Sequence, residues 1–239
     1  MQKVLYLLIA IVSINIVIAQ PTKTVVMDEN AELREVGNFK NIEISSTVRA
    51  YISQGEIGLA VSCTNEKNNK KIITKVENNT LKIFVDNGGL NFGSKKERYK
   101  VYISVKDIEN ITISGASYLN LVDNFTANNV TLDISGASIL KGAIFSENVK
   151  ADISGASVVK LSGNIKNAVI DISGASSLSA ADLIIGICKI HASGASSAKI
   201  NVENELDVHS SGASNIRYKG KAVVIKVRST GASSIKKED

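Results

Sequence analysis
From Ile111 onward, apolar and polar residues alternate, and the alternation restarts at near-constant intervals. One apolar series is Ile111, Leu132, Ala151, Ile170, Ile190, Val208 and Val227. Two residues further on stand Ile113, Ile134, Ile153, Ile172, Ala192, Ser210 and Ser229. Between the two series sit Thr112, Asp133, Asp152, Asp171, His191, His209 and Arg228. A period of two predicts a half-buried strand with the first two series inward and the third outward. Each strand leads into a tetrapeptide, Ser-Gly-Ala-Ser, that begins at residues 114, 135, 154, 173, 193 and 211 and returns as Thr-Gly-Ala-Ser at 230. Beyond it comes another inward series, Leu119, Leu140, Val159, Leu178, Ala198, Ile216 and Ile235.

The seven copies start 21, 19, 19, 20, 18 and 19 residues apart. A constant period of this size predicts a solenoid in which one repeat makes one rung. The period-two pattern makes the rungs strands, so the expected fold is all-β: a parallel β-helix of about 19 residues per rung, with two or three short strands in each. Equivalent residues then stack at about 4.8 Å, and every repeated position becomes a ladder. The glycine reads as a bend, where a positive φ or close backbone packing suits it. The serines are placed to donate to backbone carbonyls of their own or an adjacent rung.

Residues 34–110 carry no tetrapeptide but still read as strands, at Asn41–Ser45, Val48–Ser53, Leu59–Thr64, Ile72–Val76, Leu81–Val85 and Lys100–Val105. Asn-rich breaks at Asn65–Asn69 and Asn78-Asn79 separate them, Asp86-Asn87-Gly88-Gly89 reads as a turn, and residues 91–98 form a basic loop. No linker intervenes before the repeats. The expected layout is a signal peptide over residues 1–19, a lead segment over 20–33 and one β-helix domain over 34–239. In that domain, 34–110 supply irregular leading rungs that cap the coil and 111–239 supply the repeats.

The signal-peptide reading rests on Lys3, the apolar run Val4–Ile18, and small residues at Val17 and Ala19, which leave Gln20 as the first mature residue. Export follows, to the periplasm, the outer-membrane surface or the medium. The net charge of +5 is mild, and tryptophan is absent. An exported chain of modest charge with few stacking groups argues against nucleic acid. Cys63 and Cys188 both alternate inward, as buried thiols or as a disulfide if their rungs meet; two cysteines supply neither a zinc site nor a disulfide framework.

Val36-Gly37-Asn38-Phe39-Lys40-Asn41-Ile42, then Val48 to Gly55, then Val76 to Ile83, then the Ile-Ser-Gly-Ala-Ser series resembles the putative auto-transporter adhesin, head GIN domain family. The resemblance spans residues 34–239. It implies a right-handed parallel β-helix of the pectin-lyase-like kind, export in Gram-negative bacteria and an adhesive role. It brings no catalytic residues, so none are transferred.

Three outward features carry candidate chemistry. Lys141, Lys160, Lys199, Arg217 and Lys236 form a basic file, joined by a loop with Lys95, Lys96, Arg98 and Lys100, suited to acidic glycans, lipopolysaccharide or anionic lipid. The same file keeps a long sheet soluble. Tyr118, Ile139 and Val158 form an apolar-aromatic patch for sugar or protein. Asp133, Asp152 and Asp171 form a carboxylate ladder, a calcium candidate or a plain solvated row, which continues into His191, His209 and Arg228. No cofactor is expected. The expected function is a non-enzymatic, adhesin-like envelope module that binds a cell-surface glycan or envelope protein, with self-association through its ends as a further possibility. A polysaccharide-active enzyme of the pectin-lyase type and a purely structural envelope protein are the alternatives. An enzyme on this scaffold needs a convergent carboxylate cluster, and the acids here form a regular file.

Overall fold
The computed structural model describes residues 28–86 and 97–238. The signal-peptide reading and the loop lysines Lys95 and Lys96 lie outside the described residues. The upstream strands are β1 (Glu32–Arg34), β2 (Asn41–Ile44), β3 (Val48–Gln54), β4 (Gly58–Cys63), β5 (Ile72–Glu77), β6 (Thr80–Val85), β7 (Tyr99–Val105) and β8 (Asn110–Ile113). The repeats supply β9 (Tyr118–Ile134), β10 (Ile139–Ile153), β11 (Val158–Ile172), β12 (Ser177–Ala192), β13 (Ser197–Ser210), β14 (Asn215–Lys219), β15 (Val223–Ser229) and β16 (Ser234–Lys237). All belong to one sheet wound into a β-solenoid of about seven turns with roughly 19 residues per turn.

The sequence phase holds. Leu132, Ile134, Leu140, Ile153, Val159, Ile170 and Ile190 are buried, while the residues between them face out. Inward residues from Phe39 to Ile216 share a single apolar core. One rung alone cannot shield such a core, so its stability comes from stacking.

Two features depart from expectation. First, each central rung is one strand of 14 to 17 residues rather than two or three short ones. The parallel ladder runs through the side bends, as from Ile139↔Val158 to Ile153↔Ile172, because neighbouring rungs bend together. The tetrapeptide corner interrupts it, and so do register shifts after Lys141 in β9–β10, after Lys160 in β11–β12 and after Ala180 in β12–β13. At the corner the glycines hold φ near +70°, and the N–H groups of Ala137, Ala156, Ala175, Ala195 and Ala213 each donate to the glycine carbonyl of the previous rung, as Ala156 does to Gly136 at 2.7 Å.

Second, the upstream rungs are not stacked in chain order. β2 lies between β6 and β8, and β3 lies between β7 and β9, all parallel. The chain thus builds one turn with β2 and β3, lays the β6–β7 turn beneath it, and resumes above it at β8. β4 adds antiparallel to β7, β1 to β4, and β5 to β6, which closes this end with strands of reversed direction. Asn78 and Asn79, both at positive φ, make the two-residue turn of the β5–β6 hairpin. The break at Asn65–Asn69 is a 3₁₀ turn, Glu66–Lys71, in which the Asn65 side chain accepts from Lys67 N.

The corner has an unmarked eighth copy. Ser45-Ser46-Thr47-Val48 occupies it in the β2–β3 turn: Ser114 N donates to Ile44 O, Ala116 N donates to Ser46 O, and Ser46 has φ 74°. A serine stands here in place of the glycine, and its hydroxyl accepts from Val85 N.

Candidate binding face
The strand after each tetrapeptide carries two outward files, two residues apart. One runs Asn120, Lys141, Lys160, Ser179, Lys199, Arg217 and Lys236 in unbroken register. The other runs Tyr118, Ile139, Val158 and Ser177. The expected basic file and apolar patch are therefore neighbours on one face. Lys141, Lys160 and Lys199 are exposed, and Arg217 pairs with Glu238 at 3.1 Å.

The upstream turn extends both files with residues that the sequence reading did not single out. Arg49 lies beside Tyr118, and Tyr51 lies beside Asn120. Tyr51 in turn pairs with Tyr102 of β7, and their rings stack at 5.3 Å, 18° from parallel. The Arg49 guanidinium stands 5.7 Å from the Tyr118 ring centre and the Lys141 ammonium 5.9 Å from it. The three tyrosines are half-buried, so their rings present faces and edges at the surface with cations on either side. A shallow depression of about 360 Å³, lined in part by Arg49, Tyr99, Tyr118 and Ile139, opens next to them.

Lys100 is engaged elsewhere. Its Nζ donates to Asp28 at 2.9 Å, and the Tyr102 hydroxyl donates to the same carboxylate at 2.8 Å. Burial pushes the Asp28 carboxyl up, but hydrogen bonds from Lys100, Tyr102, Ser62 and the Asn30 backbone outweigh it and hold the group down at about 2. Asp28 thus fixes the Tyr102 end of the aromatic row.

The strand before each tetrapeptide forms a second face, around the corner. Its outward file runs Lys82, Glu43, Thr112, Asp133, Asp152, Asp171, His191, His209 and Arg228. The three aspartates stand in line, one per rung. Asp152 has Lys150 at 3.8 Å and Asp171 has His191 at 3.5 Å. Among the described residues, no three His, Cys, Asp or Glu side chains converge as a metal site. Nearby, Asn129, Asn148 and Asn167 form a side-chain ladder with amide-to-amide bonds of 2.8 and 2.9 Å, which ties consecutive rungs together. Cys63 and Cys188 are both free and buried, and burial pushes the Cys188 thiol up to about 12.

A family model for the putative auto-transporter adhesin, head GIN domain, matches residues 38–222. This chain belongs to that family. A putative adhesin from Bacteroides fragilis has a TM-score of 0.79 at 20% identity, covering 87% of this chain and 96% of that one. A putative lipid binding protein from Parabacteroides distasonis has 0.66 at 18%, covering 89% and 98%. A putative adhesin from Parabacteroides merdae has 0.65 at 16%, covering 87% and 95%. At these identities the likeness is one of fold. No match occurs among the curated proteins. Among the described residues, no helix is long and apolar enough to cross a membrane.

Proposed function
We propose that this head GIN domain protein is an exported, non-enzymatic, adhesin-like module of the cell envelope, and that the face around Tyr118 and Lys141 binds acidic glycans. The family and its adhesin-named structural neighbours support the adhesive role and a surface or exported location. The single observation that carries the ligand class is Tyr118 flanked by Arg49 and Lys141, next to the stacked Tyr51–Tyr102 pair. Aromatic rings offer apolar faces to the C–H side of a sugar, and the cations beside them take its acidic groups. Lys160, Lys199 and Arg217 continue the positive track along the coil, as a linear polyanion requires.

A binding rather than hydrolytic role is supported by the carboxylates. Hydrolysis by paired acids needs two carboxyl groups facing each other across a bond. Asp133, Asp152 and Asp171 instead point the same way from successive rungs. A glycan array with the mature protein, with and without calcium and beside a reducing-end release assay, tests the reading. Binding of acidic glycans without sugar release supports it; release of sugar ends overturns it.

A further inference from the structure
We infer that the groove around His191 and His209 is a second binding site, specific for carboxylated saccharides and strengthened by acid. The groove holds about 310 Å³ and lies on the face before the tetrapeptide, around the corner from Tyr118. It spans four consecutive rungs. β11 contributes Val169 and Asp171, β12 Lys189 and His191, β13 Asp207 and His209, and β15 Lys226 and Arg228.

Those residues are all the charged and titratable groups that line it. With neutral imidazoles, two carboxylates face three fixed cations, and the groove carries one net positive charge. With both imidazoles protonated it carries three. Imidazole is the side chain whose charge changes in the ordinary physiological range. The two rings are held 4.6 Å apart, so two imidazolium ions repel across a short gap. An anion seated over both relieves that repulsion. Protonation and anion binding therefore favour each other, and the coupling is reciprocal.

The mixed charge selects the ligand. A purely cationic patch would take any phosphate or anionic membrane. Here Asp171 and Asp207 are interleaved with the cations, and they repel a densely charged surface. They also offer acceptors for hydroxyl groups. Exposed Val169 supplies an apolar edge. A chain of sugars with spaced carboxylates meets all three: imidazolium and Arg228 for the carboxylate, aspartate for the hydroxyls, and valine for the ring. Asp171 lies 3.5 Å from His191 Nδ1.

The site stands apart from the Tyr118 face, so the two can fail separately. Polygalacturonate oligomers are titrated against the mature protein, its H191Q/H209Q and H191R/H209R variants, and K141Q/K160Q, at about pH 8 and about pH 5.5, which bracket imidazole titration. Thermal melts at both pH values confirm that these surface variants remain folded. For the unaltered protein, affinity is expected to rise about tenfold or more on acidification, the size of two added charge contacts at an exposed site. H191Q/H209Q loses the rise, H191R/H209R binds tightly at both pH values, and K141Q/K160Q keeps the rise. An equal rise in H191Q/H209Q, loss of the rise in K141Q/K160Q, or equal acid-strengthened binding to anionic phospholipid vesicles would overturn the inference. Unchanged overall affinity in K141Q/K160Q counts against the Tyr118 face alone.

Discussion

Gly136 packs against Gly115 so closely that a Cβ on it would stand 2.3 Å from the Gly115 carbonyl oxygen. The same clash recurs at Gly155 against Gly136, again at 2.3 Å, and both glycines sit near φ +73°. The corner thus excludes any side chain for two independent reasons, conformation and contact.

G155A is therefore expected to destabilise the fold by about 2–4 kcal/mol, combining backbone strain with a forced shift of the rung below. S46G, at the corner with room for a side chain, is expected to change stability by less than about 1 kcal/mol. Urea denaturation of both variants checks the contrast. Equal effects would mean that the corner tolerates a Cβ after all.

Ile153 and Asp152 are neighbours in sequence on opposite sides of the sheet. Ile153 is 1% exposed, whereas the Asp152 side chain is half exposed. I153D places a charge in the stacked core and is expected to cost several kcal/mol, about 4 or more. D152N is expected to shift stability by less than about 1 kcal/mol, toward greater stability if relief from Asp133 and Asp171 outweighs the Lys150 contact. Chemical denaturation at neutral pH measures both.

This inside–outside phase was legible because the period is constant and each rung repeats the same alternation. What was not legible lies upstream. Ser45-Ser46-Thr47-Val48 lacks the glycine that marks the seven tetrapeptide corners, so the β2–β3 turn could not be aligned with the repeats. Its outward residues Arg49 and Tyr51 went unassigned for that reason, and so did Tyr102, which reaches the same face only because β7 slides in under β3. No local signal in a chain announces that two turns will stack out of sequence order. Lys141 and Tyr118, by contrast, followed from counting positions after the tetrapeptide.

Asp28 links pH to the aromatic end of the binding face. Its folded carboxyl titrates at about 2, below the ordinary value of 3.8. A depressed pKa adds stability that is present above the unfolded value and lost as pH falls toward the folded one. The window is therefore about pH 4 to 2. D28N is expected to lower stability at neutral pH by about 1–2 kcal/mol and to flatten the acid limb of the stability curve in that window. Melting curves across pH test this; an unchanged acid limb would remove Asp28 as an anchor of Lys100 and Tyr102.

On the last strand of this face among the described residues, β15, Val223, Ile225 and Val227 are each more than half exposed; Val223 follows the outward Glu205, and Val227 follows the inward Val208. β16 covers β14, and Arg217 fastens it to Glu238. Deleting residues 235–239 is expected to uncover the β14 edge and promote self-association, which light scattering across concentrations would detect. A truncated protein that stays monomeric at high concentration would strip this tail of a guarding role.

In the proposed function, Tyr118 and its flanking cations hold an acidic glycan without cutting it. The most direct measurement is calorimetric titration of the protein with the best acidic oligosaccharide from the array, repeated with Y118A and K141Q/K160Q. The account expects saturable binding that weakens about tenfold or more in each variant, as loss of an aromatic or ionic anchor at a binding centre does, with no new reducing ends. Undiminished binding in Y118A and K141Q/K160Q, or sugar release during the titration, would contradict it.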